Sequence, residues 1–218
     1  MAPGIFLRPF ACGPDTATMT LITVFGSLAV IVSLVQFVPQ AIRVHRVGVS
    51  GVSFGTWAMF SSTTAAWLSY GFVAHQTSLV VVNLITGPTT WSILARISLS
   101  HRNRLKGVVA FMVALLSALI IAVVPAPAVY ALAAIEVIAI LPQLIEVFRP
   151  GDLSGVSITT WLATILAQSL WGVYGVFAHQ TALSLGGFAG AALGAVVALK
   201  ITTTRRSTPS TSSDATHL

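Results

Sequence analysis

The stretch Pro39–Leu79, PQAIRVHRVGVSGVSFGTWAMFSSTTAAWLSYGFVAHQTSL, returns about a hundred residues later as Pro142–Leu183, PQLIEVFRPGDLSGVSITTWLATILAQSLWGVYGVFAHQTAL. With one extra residue in the second copy, Asp152, 20 of the 41 aligned positions are identical. The shared landmarks are Pro-Gln at the start, then Ser-Gly-Val-Ser (Ser50–Ser53; Ser154–Ser157) and Thr-Trp (Thr56-Trp57; Thr160-Trp161). Trp-x-x-Tyr-Gly follows (Trp67–Gly71; Trp171–Gly175), and Ala-His-Gln-Thr closes each copy (Ala74–Thr77; Ala178–Thr181). Internal similarity of this kind is the signature of a duplicated structural unit.

The composition says what medium the unit lives in. Of 218 residues, 56% are hydrophobic and only 7% are charged, whereas soluble globular chains carry roughly 25% charged residues. Mean hydropathy is +0.91. A large water-soluble domain is excluded. A bilayer span needs about 20 predominantly apolar residues, and such stretches occur at 20–41, 54–74, 77–97, 107–124, 127–148, 157–178 and 181–201. The expected fold is therefore an all-α membrane protein with seven transmembrane helices. The single Cys excludes a disulfide framework and a cysteine-based metal site. The net charge of +6 is not read as a nucleic-acid footprint, because in so apolar a chain the position of each Lys and Arg matters more than the sum.

Those positions orient the chain. Arg43, Arg46, Arg96, Arg102, Arg104, Lys106, Arg149, Lys200, Arg205 and Arg206 fall on one side, and Arg8 alone on the other. The positive-inside rule then predicts a multi-pass protein of the cell membrane with its N-terminus outside and its C-terminus cytoplasmic. Residues 1–18 lack an apolar h-region, so the first span is expected to remain as a membrane helix. The Ser- and Thr-rich stretch 202–218 is expected to be a disordered tail.

Each copy supplies three spans, and an odd unit repeated directly would cross the bilayer in opposite senses. The extra span at 107–124 has no counterpart and restores the sense. The arrangement expected is two parallel three-helix bundles joined by a linker helix, related by an axis along the membrane normal. Its parts are an extracytoplasmic segment at 1–19, a first repeat at 20–97, a basic loop and linker helix at 98–126, a second repeat at 127–201 and the tail at 202–218.

Polar side chains inside such spans mark function. Trp67 and Asn83 stand at equal distances from the turn at His75-Gln76, roughly 12 Å below the surface at 1.5 Å per residue. Trp171 and Gly187 stand at the matching level of the second copy. An indole face suits the C–H face of a sugar ring, and a carboxamide offers donor and acceptor to vicinal hydroxyls. Trp67, Trp171 and Asn83 are thus candidate solute-binding residues. The indoles could equally pack, and Asn83 could bond a neighbouring helix. Thr64 and Gln168, equivalent in the two copies, either line the same cavity or cross-link helices. Pro39 and Pro142 each remove an intrahelical hydrogen bond and can kink a helix or act as hinges. Gln40 and Gln143, beside them, could satisfy a freed carbonyl or a loop amide. Tyr70, His75, Tyr174 and His179 cluster at the outer ends of spans 2 and 6, as gate residues or as ordinary interfacial ones. Glu136 is the one carboxylate deep in a span, where a charge costs on the order of 2.5–3.5 kcal/mol on insertion scales. It is a candidate proton or substrate site, and its equivalent in the first copy is Ser33.

No catalytic arrangement survives inspection. There is no His/carboxylate cluster at metal spacing and no phosphate-binding glycine loop, so neither enzymatic activity nor a cofactor is expected. Small residues in the run 186–194 allow close helix approach.

Pro-Gln at the end of a first span, Trp-x-x-Tyr-Gly in the second and Asn in the third resemble the PQ-loop repeat superfamily. The 3+1+3 layout is similar to the SWEET sugar facilitators, whose SemiSWEET relatives hold one triplet and dimerise. The resemblance covers about residues 20–201, and the Trp67-to-Asn83 spacing is its most specific part. It implies a sugar pocket at Trp67, Asn83 and Trp171 and hinges at Pro39 and Pro142. Two departures stand out: Gly187 where the pattern has Asn, and no proline in spans 2 and 6. The expected function is a carrier moving a small neutral solute, a mono- or disaccharide, by alternating access without ATP. Proton-coupled amino-acid transport through Glu136, and a non-transporting membrane receptor or assembly subunit, are the alternatives. The partners expected are the solute and the lipid bilayer, with a homo-oligomer left open and nucleic acid excluded.

Overall fold

The computed structural model describes residues 15–49, 52, 54–100, 104–138, 140–148 and 158–207. Residues 1–14 and 208–218, Arg102, Arg149 and the side chains of Gln40, Pro142 and Gln143 lie outside the described residues. Two expected bounds are corrected: helix α1 starts at Thr16, inside the segment expected before the first span, and α8 continues to Ser207, so 202–207 is helical and not part of a disordered tail. Among those described there are eight helical segments: α1 (Thr16–Val47), α2 (Phe54–Val73), α3 (Thr77–Ser100), α4 (Arg104–Val123), α5 (Pro125–Ile138), α6 (Leu141–Phe148), α7 (Ile158–Phe177) and α8 (Thr181–Ser207). Together they occupy each of the apolar stretches expected to cross the bilayer. Four, Thr16–Val47, Thr77–Ser100, Arg104–Val123 and Thr181–Thr204, are long and apolar enough to cross a membrane. Large apolar side chains stand exposed along them, Leu28, Ile31 and Val35 on α1 and Leu115, Leu116 and Leu119 on α4. An outer surface this apolar suits hydrocarbon, not water, and the protein is membrane-embedded. With no water to satisfy the backbone there, helices supply every hydrogen bond internally.

Local chemistry sets the helix ends. Asp15 caps α1, its Oδ1 accepting from the Thr18 amide at 2.9 Å. At the other end Gly48 takes φ 114°, in the region that favours glycine, and its amide bonds the Val44 carbonyl at 3.1 Å. The turns α2–α3 and α7–α8 are built identically. The Gln76 amide bonds the Gly71 carbonyl and the His75 amide the Phe72 carbonyl, at 2.8 and 3.3 Å. Gln180 to Gly175 and His179 to Val176 repeat the pattern at 2.7 and 3.2 Å. This is the Schellman closure, with histidine at the left-handed position in both copies, φ 54° and 55°.

The two Pro-Gln positions differ. α1 runs unbroken through Pro39. In the second copy the helix parts between Ile138 and Leu141. The Ile140 amide there bonds Val137 at 3.1 Å, a tighter three-residue turn. Pro142 has no amide hydrogen for the Ile138 carbonyl four residues back, and the break opens at that carbonyl. α1 is held along its length by α3 and α7, whereas α5 and α6 share α8 as their support.

The helices pack pairwise: α3 against α1 and α2, and α8 against α5, α6 and α7. Contacts between the copies run from α1 to α7 and from α2 to α5, while α4 lies against α2, α3 and α5. The α7–α8 approach is the closest. A Cβ on Gly187 would meet the Gly172 backbone nitrogen at 2.6 Å, and one on Gly175 the Ser184 amide at 2.7 Å.

The apolar core is distributed unevenly. At the histidine-turn end and midway, residues of both copies share one cluster, including Trp67, Tyr70, Leu79, Trp171, Tyr174 and Leu183. Among the described residues, the core at the opposite end separates. Val44, Trp57, Ile93 and Ile97 form one cluster in the first copy, and Val147, Val197 and Ile201 form another in the second.

Close packing of glycine backbones makes a sharp stability prediction. Gly187→Ala drives a methyl group into the Gly172 backbone and should destabilise the protein by about 1–3 kcal/mol. In Gly190→Ala the nearest atoms met belong to the Gln168 side chain, from 3.2 Å, which can move aside, and the change should be near neutral. Thermal unfolding of both variants in detergent, read by circular dichroism, checks the contrast.

Candidate functional site

The residues nominated from the repeat converge where the two copies meet, and they do so by exchanging hydrogen bonds across the seam. The Tyr174 hydroxyl of α7 donates to Gln76 Oε1 of the first copy's turn at 2.7 Å. Reciprocally, the Tyr70 hydroxyl of α2 donates to Gln180 Oε1 of the second copy's turn. Each glutamine is aimed by its own turn, its amide nitrogen donating to the carbonyl of Ala74 or Ala178. The Schellman closures place the glutamines, and the Trp-x-x-Tyr spacing places the hydroxyls one helical turn above the indoles.

One turn deeper the exchange repeats with other partners. Trp67 Nε1 donates to Glu136 Oε1 of α5 at 2.6 Å, and Trp171 Nε1 donates to Ser33 Oγ of α1 at 3.1 Å. Glu136 and Ser33 are equivalent positions of the two copies, so the pair of contacts follows the duplication while the acceptors differ. Each indole also stands edge-on to the tyrosine above it, with ring centroids 5.8 Å apart for Trp67–Tyr70 and 5.5 Å for Trp171–Tyr174. Such a pair contributes about 0.5–1.5 kcal/mol beyond its buried area. Both indoles are buried, and neither points out toward lipid. On the α1–α7 side the seam is reinforced by stacked Phe25 and Phe177, 5.7 Å apart, and by Gln36 Nε2 donating to Thr164 Oγ1 at 3.2 Å.

The remaining nominated residues are placed elsewhere. Asn83 is buried, its Nδ2 donating to the Leu79 carbonyl one turn back at 2.8 Å. Together with Thr64, Gly87 and Trp91 it lines a cleft of about 350 Å³ between α2 and α3. Gly187 serves the backbone contact with Gly172, and Gln168 packs on Gly190. His75 and His179 are exposed and act through their left-handed backbone at the turns. Pro39 lies exposed inside α1.

Five residues of the seam were not singled out by sequence reasoning as bonding groups: Gln76, Gln180, Ser33, Gln36 and Thr164. Gln76 and Gln180 sit inside the Ala-His-Gln-Thr landmark, and their identity in both copies is the signal that could have marked them. Ser33 precedes the compared stretch and becomes visible only as the equivalent of Glu136.

A crossed bond and a bond within one copy give opposite results in a double-mutant cycle. Tyr70→Phe with Gln180→Ala should show a coupling of about 0.6 kcal/mol, the usual size of a side-chain hydrogen bond between membrane helices. Tyr70→Phe with Gln76→Ala should show none. Reversible unfolding in mixed micelles measures both. No family model matches the chain, and neither a characterised protein nor a solved structure matches it.

Proposed function

We propose that the chain is a membrane carrier for a small neutral solute, working by alternating access without ATP, with two like-oriented three-helix units as its moving parts. The observation that carries this reading is the uneven joining of the copies. They share a core and exchange hydrogen bonds at the histidine-turn end and midway, while among the described residues their core clusters at the Pro-Gln end are separate. A carrier needs such a seam, closed at one end and able to part there when the other end closes. The exchanged bonds are weak enough for this, each worth on the order of 0.6 kcal/mol. In the orientation that the basic residues favour, the joined end faces outside.

The solute's level is that of Trp67 and Trp171. Two indoles that now bond across the seam would release their N–H groups to solute hydroxyls when the seam parts. Aromatic faces with neutral polar partners suit a polyol, and the resemblance to SWEET facilitators supports a mono- or disaccharide. The test is uptake of a panel of sugars into proteoliposomes. Trp67→Ala and Trp171→Ala are expected to lower flux at least tenfold with helical content retained, and Asn83→Ala to lower it if the α2–α3 cleft communicates with the path. Flux unchanged in both tryptophan variants would sink the assignment.

The Trp67–Glu136 contact supports a second reading, in which movement is linked to protons. A carboxylate whose one hydrogen-bond partner among the described residues is an indole N–H holds the seam more firmly charged than neutral, so proton uptake would loosen it. This reading predicts flux that responds to an imposed pH gradient in the wild type and loses that response in Glu136→Gln. A facilitator without proton linkage gives equal flux in either gradient.

A further inference from the structure

The two copies diverge where their second and third helices meet. In α8 the positions equivalent to Asn83, Thr86 and Thr90 are Gly187, Gly190 and Gly194, and α7 closes on them. A Cβ on Gly187 would meet the Gly172 backbone nitrogen at 2.6 Å, and one on Gly194 the Ile165 side chain at 3.1 Å. The first copy keeps side chains at these positions. Asn83, Thr86 and Thr90 are all buried, and beside them the cleft of about 350 Å³ stays open between α2 and α3. Thr64, on its wall, stands in the middle of α2, about 15 Å from either end. The cleft therefore lies at mid-membrane, where no water is at hand to bond a polar group. Leu84 and Pro88 of its lining are exposed on the outer surface, so the way in is from the hydrocarbon.

Its polar groups are left unsatisfied by the protein. Thr86 and Thr90 donate to the Val82 and Gly87 carbonyls of their own helix at 2.8 and 2.9 Å, the usual resort of a hydroxyl inside a helix. Thr64 does not. Only 7% exposed, it lines the cleft, and its hydroxyl bonds no described residue. Asn83 directs its Nδ2 to the Leu79 carbonyl, and its Oδ1 has no donor among the described residues. One turn along α2 from Thr64, the fully buried Ser61 Oγ is also without a partner. The rest of the lining is Ala65, Leu68, Leu84, Gly87, Pro88 and Trp91, and no charged side chain among the described residues reaches it. A hydroxyl able to donate beside an amide oxygen able to accept is matched by one group that does both, another hydroxyl. Apolar walls and a lateral entrance require an apolar body, and the absence of charge a neutral one. We infer that the α2–α3 cleft binds a neutral, lipid-soluble alcohol from the bilayer, its hydroxyl accepting from Thr64 Oγ1 and donating to Asn83 Oδ1. The site belongs to the first copy alone, because glycine packing closes its counterpart, and it does not depend on the carrier reading.

The experiment uses the purified full-length protein in phosphatidylcholine nanodiscs. It is irradiated with dodecan-1-ol carrying a diazirine midway along its chain, or with the methyl ether of the same reagent. Peptide mass spectrometry maps the adducts, and circular dichroism checks the fold of each variant. The expected result is saturable labelling within residues 84–91. A hydrogen bond between membrane-buried groups is worth about threefold, so the alcohol should be favoured over the ether by roughly eightfold through its two bonds. Thr64→Val, which keeps the shape of the side chain, should cut that preference to about threefold, and Thr64→Ser should retain it. A Cβ on Gly87 stands 3.5 Å from the Thr64 methyl, an ordinary contact, so Gly87→Val should fold while filling the cleft and should abolish the adducts there. Equal labelling of the wild type by alcohol and ether, as expected of a groove filled by lipid tails or by water, overturns the inference. So does an unchanged preference in folded Thr64→Val, undiminished labelling in folded Gly87→Val, or adducts spread without saturation over the lipid-facing helices.

Discussion

Five side-chain hydrogen bonds that each run from one copy of the repeat to the other, the Gln36–Thr164 pair among them, hold this molecule's halves in register. Tyr70 and Tyr174 reach the glutamines of the opposite turns, and Trp67 and Trp171 reach Glu136 and Ser33 of the opposite first helices. In a bilayer, apolar contact between helices competes with equally apolar lipid, so packing and hydrogen bonds decide which faces meet. The position of every other helix follows from this seam. α3 and α8 sit behind the bonded helices and bring close packing, most tightly through glycine backbones at Gly172 and Gly187. α4 occupies the side that the duplication leaves without a counterpart.

The halves share the construction of their turns and differ in their first helices and in their chemistry. The two turns make the same hydrogen bonds around a histidine in a left-handed conformation, yet the indole acceptors are a carboxylate in one copy and a hydroxyl in the other. The α1–α7 side is knitted by Gln36 and Thr164. The position equivalent to Thr164 is Phe60, which joins Phe37 and Trp57 in a set of edge-to-face rings within the first copy. One flank of the seam is thereby polar and closely joined. On the other flank α4 packs against α2 and α5. In the carrier proposed above, the halves would part along a line that the sequence itself makes lopsided.

Much of this was legible beforehand. Helical segments occupy each expected apolar stretch because the hydrocarbon core imposes a length and forbids unsatisfied backbone, and both constraints act on composition alone. The depth of Trp67 and Trp171 followed from counting residues back from a recognisable turn. Their placement in one shared core agrees with the expectation that they face inward. Asn83 shows where counting stops. Its distance along the chain from the turn does not give the angle around the helix axis, and its amide turns to its own helix and the α2–α3 cleft.

The chain's order along its length therefore determined the spans, the turns and the duplication, since each depends on neighbours a few residues apart or on repetition of the same text. Only the tertiary structure decided which tyrosine meets which glutamine, which acceptor each indole finds, and where the core divides. Those outcomes depend on the azimuth of each helix and on contacts 69 to 138 positions apart, and no local pattern of residues encodes a rotation about a helix axis. The same limit separates the two Pro-Gln sites. Identical dipeptides remove the same hydrogen bond, and the supporting helices determine whether the backbone runs on, as at Pro39, or parts, as it does ahead of Pro142.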